Sequence, residues 1–191
     1  SGYHSILPDE LYDYLTAKAG LPPKPIMISF DDTRLAQYTI AAPILEKYGF
    51  KAVFFIMTAC VNKSNYMSST MINDLATRGH AIGVHTYDHP LVRDIKSDQW
   101  NRELKEPKIF LENVIHNDVN YFAYPFGPWT ETCITRLKED GYKAAFQLDG
   151  KKSLKDPLYT IKRLMVEGYW PAQTLHRKIA RTFNNQVEVI K

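Results

Sequence analysis

Residues 52–57 read Ala-Val-Phe-Phe-Ile-Met, six apolar side chains in succession. Successive residues of a strand point to opposite faces. A run apolar at both parities therefore belongs to a strand covered on both sides, as in a parallel sheet flanked by helices. The rest of the chain fits that frame, because short β-branched and aromatic runs alternate with longer helical patterns, which reads as α/β. Beyond Ala52–Met57, strands are expected at Ile26–Phe30, Ala81–Thr86, Tyr121–Phe126, Ala144–Leu148 and Thr160–Val166. The first of these follows Leu21-Pro22-Pro23, which cannot lie inside a helix. Helices are expected at Leu35–Tyr48, stopped by Gly49, and at Ser68–Arg78, stopped by Gly79. A longer one should run from Ser97 to about His116, with a kink or break at Pro107. Leu137–Asp140 ends another before Gly141, and Pro171 opens the last.

The 191 residues make one domain, 1–191, with no internal repeat or linker. Six expected strands are fewer than an eight-stranded barrel requires. A formal charge of +3 and the lack of any Lys/Arg block argue against a nucleic-acid partner. No apolar run of about 18 residues exists, so no transmembrane helix is expected. The N-terminus also lacks the basic-then-apolar layout of a signal peptide. Cys60 and Cys133 form no CxxC pattern and read as free thiols, a disulfide being unsupported. Aromatic residues make up 13% of the chain, which suits a sugar-binding surface or a tyrosine-rich core.

In a parallel sheet, open or closed, chemistry gathers at the C-terminal ends of the strands. Three groups stand there: Asp31-Asp32, His85 with His89, and Tyr124-Pro125-Phe126-Gly127. Adjacent carboxylates after a buried strand are costly unless compensated. Pointing in different directions, one can bind a metal while the other faces water; the plainer alternative is helix capping by Asp32 or Thr33. His85 and His89 are four apart, which brings two imidazoles to one side of a turn. Two neutral imidazoles and a carboxylate form a ligand set typical of hydrolytic zinc with one position open. Taken alone, the pair reads equally well as surface histidines. Asp88 between them reads as solvated, with a supporting role to the ligands as the alternative.

The segments SFDDT (Ser29–Thr33), HTYDH (His85–His89) and AYPFG (Ala123–Gly127) resemble, in order and spacing, the leading motifs of NodB-type polysaccharide deacetylases. The similarity extends over nearly the whole chain. It implies a distorted, incomplete (β/α) barrel and metal-dependent hydrolysis of N-acetyl groups on an N-acetylglucosamine-containing polysaccharide. Asp32, His85 and His89 would be the metal ligands, Asp31 the general base, and the Phe126 backbone N–H an oxyanion donor. Tyr124, Pro125 and Trp129 would line the substrate pocket, with core packing as the alternative for Trp129. The metal would be zinc, or else cobalt or nickel. YFAYPFG looks closest to the poly-N-acetylglucosamine branch, and the family's substrates imply an extracytoplasmic location.

Some residues depart from the pattern. Thr33 replaces the usual glycine and is expected at negative φ. Ala123 stands where many relatives carry an arginine that orients the base. The general acid is open: an upstream Tyr-His segment that this chain lacks is expected to supply it, with His4 or His176 as weaker candidates. His80 and His116 read as surface residues. Two other functions stay open, a carbohydrate-binding domain with little or no turnover and a metal-free structural domain.

Overall fold

The computed structural model describes residues 2–148 and 150–183. Its strands are β1 (His4–Ser5), β2 (Pro25–Ile26), β3 (Ser29–Phe30), β4 (Val53–Ile56), β5 (Ala81–Val84), β6 (Tyr121–Ala123), β7 (Ala144–Gln147) and β8 (Ile161–Lys162). Its α-helices are α1 (Pro8–Leu15), α2 (Ala42–Lys47), α3 (Ser69–Thr77), α4 (Glu106–Ile115), α5 (Glu131–Glu139) and α6 (Ala172–Phe183). Strands β3 to β8 lie in sequence order, and every neighbouring pair is parallel. The sheet curls into a half-barrel surrounded by helices, the incomplete (β/α) form anticipated above. Strands β1 and β2 pair separately, also in parallel, with His4 beside Pro25.

Several strands differ from expectation: β6 stops at Ala123, three residues short of Phe126, and β5 stops at Val84, two short of Thr86. Strand β1 was not foreseen, and the Ile26–Phe30 strand is split between two partners, β1 and β4. The Thr160–Val166 strand shrinks to Ile161–Lys162, because Pro157–Thr160 coils into a 3₁₀ turn. No helix among the described residues is long and apolar enough to cross a membrane.

Strand parity builds two apolar layers. Phe54 and Ile56 of β4, Ile82 and Val84 of β5, and Phe122 and Tyr124 at β6 are buried in the larger cluster with residues of α2 to α5. Val53, Phe55, Tyr121, Ala123, Ala144 and Phe146 face the other way, into the half-barrel. Leu11 and Tyr12 of α1 pack on this inner layer, and Tyr121 Oη donates to Asp9 at 2.5 Å. Helix α1 thereby closes the end where the strands begin. Gly83 has inward parity too: a Cβ there would lie 2.5 Å from the Phe55 ring, so only glycine lets that ring lie against β5. The same parity turns Ser29 and Asp31 inward after Met27, and His85 inward after Ala81 and Gly83.

Two helices open with a π turn just ahead of a proline. Gln37–Ala41 precedes Pro43 and Asn101–Lys105 precedes Pro107. Ala42 N–H bonds to Gln37 O and Glu106 N–H to Asn101 O, each five residues back. Proline has no N–H to give and crowds the preceding turn, and the wider turn accommodates it without ending the helix. The break expected at Pro107 is therefore a change of helix type.

His80 is a correction of another kind: expected at the surface, it is 4% exposed. Its Nδ1 accepts from Ala52 N–H at 3.1 Å and its Nε2 lies 3.1 Å from Glu46 Oε1, so it ties β4 to α2. Burial lowers its pKa. His116 is exposed as expected, in a left-handed C-cap with φ 54°.

Candidate metal and hydrolytic site

Asp32 Oδ1 lies 3.4 Å from His89 Nε2 and 3.6 Å from His85 Nε2. One ligand atom from each of the three residues falls within 4.8 Å of the others. Bonds of roughly 2.0–2.1 Å around a tetrahedral zinc set its ligand atoms about 3.3–3.4 Å apart, close to both Asp32 separations, so the trio could hold such an ion once the two imidazoles close on it. His85 is prepared for ligation. Its Nδ1 lies 2.8 Å from Ala123 O, which can only accept, so Nδ1 carries the hydrogen and Nε2 turns a lone pair towards Asp32. Burial holds the His85 imidazole below its ordinary pKa, against the pull of Asp31, which keeps it neutral.

Ten described residues other than glycine have positive φ, and five of them crowd this end of the sheet: Asp32 (73°), Thr33 (61°), Thr86 (63°), His89 (71°) and Phe126 (61°). Left-handed backbone is costly for β-branched residues and persists only where surroundings impose it. The threonine hydroxyls do so. Thr33 Oγ1 accepts from Met57 N–H at 2.8 Å and donates to Met57 O at 3.2 Å. Thr86 Oγ1 donates to His85 O at 2.6 Å and accepts from His89 N–H at 2.9 Å. The expectation of negative φ at Thr33 is thus wrong, because its buried side chain bonds β4 in exchange for the strain.

Asp31 does not share the cluster's role. Arg163 Nη1 and Nη2 donate to its two oxygens at 2.7 and 2.8 Å, and Nη1 also donates to Ser29 Oγ at 3.0 Å. Burial would raise the Asp31 pKa, but the Arg163 charge, then His85, and the Arg163 hydrogen bonds bring it below its ordinary value. Arg163 directly follows β8 and Asp31 directly follows β3, the two edges of the sheet. One ion pair therefore orients the carboxylate and spans the open seam, over the Phe55 ring 5.2 Å away. Ala123 contributes its carbonyl to His85, and the arginine that meets Asp31 is Arg163, just after β8. Sequence reasoning missed Arg163, because a last strand drawn to Val166 put its end four residues too late.

The remaining candidates divide. The Phe126 ring is 61% exposed and meets the His89 ring edge-on at 4.5 Å. Its N–H bonds to no other described residue. Tyr124 and Pro125 do not line a pocket, since both are buried. Outward parity sends the Tyr124 ring under the helices, where its hydroxyl donates to Tyr159 O at 3.0 Å. Trp129 packs against the same core and donates its indole N–H to Lys151 O at 3.0 Å, which favours the core alternative. Asp88, expected to be solvated, pairs with Arg102 Nη2 at 2.7 Å. Cys60 and Cys133 are free. His4 Nδ1 is bound to Pro23 O at 2.7 Å, and the His176 ring lies 5.8 Å from Tyr3.

The sequence from 18 to 145 matches the family model described as polysaccharide deacetylase. YxkH of Bacillus subtilis, whose name assigns it to the polysaccharide deacetylases, is 26% identical over 167 residues, covering 87% of this chain and 60% of that one. A poly-beta-1,6-N-acetyl-D-glucosamine N-deacetylase of Staphylococcus aureus is 28% identical over 152 residues, covering 72% of this chain and 52% of that one. The chain thus spans 60% or less of these relatives' length. Streptococcus pyogenes deacetylase PplD, solved in complex with acetate, shares the fold with a TM-score of 0.85 at 23% identity, over 93% of this chain and 80% of that one. IcaB from Ammonifex degensii superposes with a TM-score of 0.75 at 25% identity, over 87% and 78%.

Proposed function

This chain belongs to the polysaccharide deacetylase family, and on that premise we propose that it hydrolyses N-acetyl groups of an N-acetylglucosamine polymer, using a divalent metal held by Asp32, His85 and His89. One observation carries the reading: a converging ligand trio stands beside a second carboxylate, Asp31, that is anchored independently. Its Oδ2 lies 3.8 Å from His85 Nε2, close enough to share a reacting water with the trio.

A bound cation, zinc first and cobalt or nickel otherwise, supplies Lewis-acid polarisation of the acetamide carbonyl and of water. Asp31 is the general base and takes the proton of the attacking water. The Arg163 fork holds that carboxylate ionised and fixes its plane, at some cost in basicity. The Phe126 N–H, unbonded among the described residues, donates to the oxygen that gains charge as the carbonyl becomes tetrahedral. Collapse of the tetrahedral species then breaks the C–N bond and releases acetate, and the amine nitrogen takes up the equivalent of the proton that Asp31 removed from water. An open groove of about 390 Å³, lined by Phe126, Leu148, Lys162, Arg163, Leu164 and Met165, gives the polymer a partly apolar bed beside these groups. The substrate class carries with it an extracytoplasmic location.

The test is acetate release from poly-β-1,6-N-acetylglucosamine and from a chito-oligosaccharide. Release should stop on chelation and return with zinc. Metal-loaded protein that frees no acetate from either polymer overturns the activity, and undiminished release after complete chelation overturns the metal dependence.

A further inference from the structure

Under the His85–His89 loop lies a buried acid for which the chemistry above has no use. Glu103 is 2% exposed and belongs to the π turn Asn101–Lys105. Its Oε2 accepts from Tyr87 N–H at 3.1 Å and, more weakly, from Asp88 N–H at 3.5 Å. Those amides lie between the two histidines. Neighbouring residues on a helix point about 100° apart, so Arg102 reaches the loop from another side. Its guanidinium bonds Asp88 Oδ2 at 2.7 Å and covers the Tyr87 ring at 4.5 Å. The chain of cause runs back to Pro107, which imposes the π turn and with it the direction in which Glu103 leaves the helix.

We propose that Glu103, assisted by Arg102, is a positioning residue for the metal site, setting the separation of His85 and His89 by pinning the backbone between them. The proposal rests on the metal reading of Asp32, His85 and His89. The loop needs such a pin. Thr86 and His89 are both left-handed, and a strained loop whose central amides, at the half-buried Tyr87 and the exposed Asp88, lost their acceptor would favour rearrangement. The Thr86 hydroxyl closes the loop from within, and Glu103 closes it from the protein body. Burial, and secondarily Asp88, raise the Glu103 pKa, and a glutamine carbonyl at this position keeps the acceptor that the loop uses.

The experiment compares zinc affinity, by competition titration, in the unaltered chain, Glu103→Met and Glu103→Gln, with amide exchange at Tyr87 and Asp88 followed in the metal-free proteins. Glu103→Met keeps the volume and removes the acceptor. It should weaken zinc binding by about 10–100-fold and speed exchange at both amides, while Glu103→Gln stays close to the unaltered chain. Equal zinc affinity in a folded Glu103→Met protein overturns the proposal and leaves the metal site standing. An unaltered chain that binds no zinc overturns the metal reading, and the proposal with it. Should Glu103→Met not fold, Arg102→Met decides: its partly exposed side chain (45%) can be removed safely, and several-fold weaker zinc binding supports the clamp whereas unchanged binding overturns it.

Discussion

Where the strands begin, the inner face of the half-barrel carries Met27, Val53 and Tyr121, covered by Leu11 and Tyr12 of α1. Where they end, the same parity carries Asp31 and His85, and half of the described non-glycine residues with positive φ gather there. The two regions share strands and differ in what covers them. At the first end, apolar contact and the Tyr121–Asp9 bond suffice. At the second, backbone conformations that would relax if isolated are held by hydroxyls, a buried glutamate and an ion pair across the seam. The apolar end gives the rigidity against which the polar end is strained.

The sharpest test of that division is to remove one group at a time from the polar end. His85→Ala should abolish stoichiometric metal, measured on dialysed protein, and with it all acetate release. Asp31→Asn should keep the metal and lose roughly 10²–10⁴ in turnover, as expected on losing a general base. Equal metal loss in both variants would merge roles that the geometry separates.

Arg163→Met breaks the seam. It leaves Asp31 inward-facing without its partner, a change worth about 3 kcal/mol for a buried pair. The pH dependence has a definite sign. Asp31 has a lowered pKa in the folded chain, so its contribution is present above the unfolded value and is lost as pH falls through the folded one. In Arg163→Met the burial is opposed only by His85 and His89, and protonation relieves it, so the gap between the two proteins should shrink between pH 7 and pH 4. Urea unfolding at both values checks this, and a gap that widens towards acid would show that Asp31 is not what Arg163 serves.

The difference between the two ends also explains what could be read from the sequence. Ala52–Met57, Ala81–Thr86 and the capped helix at Ser68 are legible because burial and capping are local in sequence. So are Asp31-Asp32 and His85–His89, whose members are close neighbours along the chain. Arg163 is not, because its partner is 132 residues away and only the curl of the sheet brings them together. Glu103 is likewise hidden: it looks like any charged residue of an amphipathic helix until the π turn sets its direction. His80 was misplaced because it stands beside a helix end, and Tyr124 because its place in a strand-end motif was followed rather than its parity; each is satisfied inside the core by a backbone group.

Gly83 lies between the two ends and should transmit damage more gently. Gly83→Ala puts a methyl into the Phe55 ring, which overpacks the inner layer and should cost about 1–3 kcal/mol. Since that ring also lies beneath Arg163, turnover should fall modestly while metal content holds. Adding Phe55→Leu should restore much of the stability. Thermal unfolding of the single and double variants measures this, and a double variant no better than Gly83→Ala would mean that the clash is relieved elsewhere.

The smallest effects are expected from the histidines far from the ligand trio. His4 pairs with Pro25, six residues before Asp31, and at about 3.3 Å per strand residue that is some 20 Å from the polar end. Its Nδ1 is engaged by Pro23 O. His176 stands beside Tyr3, next to His4 in the chain. A general acid must come within hydrogen-bond reach of the departing nitrogen, and neither ring is placed to do so. His4→Ala and His176→Ala should therefore alter stability by no more than about 0.5 kcal/mol and acetate release by no more than about twofold. The decisive measurement is the acetate-release rate of each variant over a range of pH, since a lost acid removes the alkaline limb of the profile as well as lowering the rate. A large loss with that signature in either variant would carry proton-transfer chemistry to the end of the sheet assigned here to packing alone.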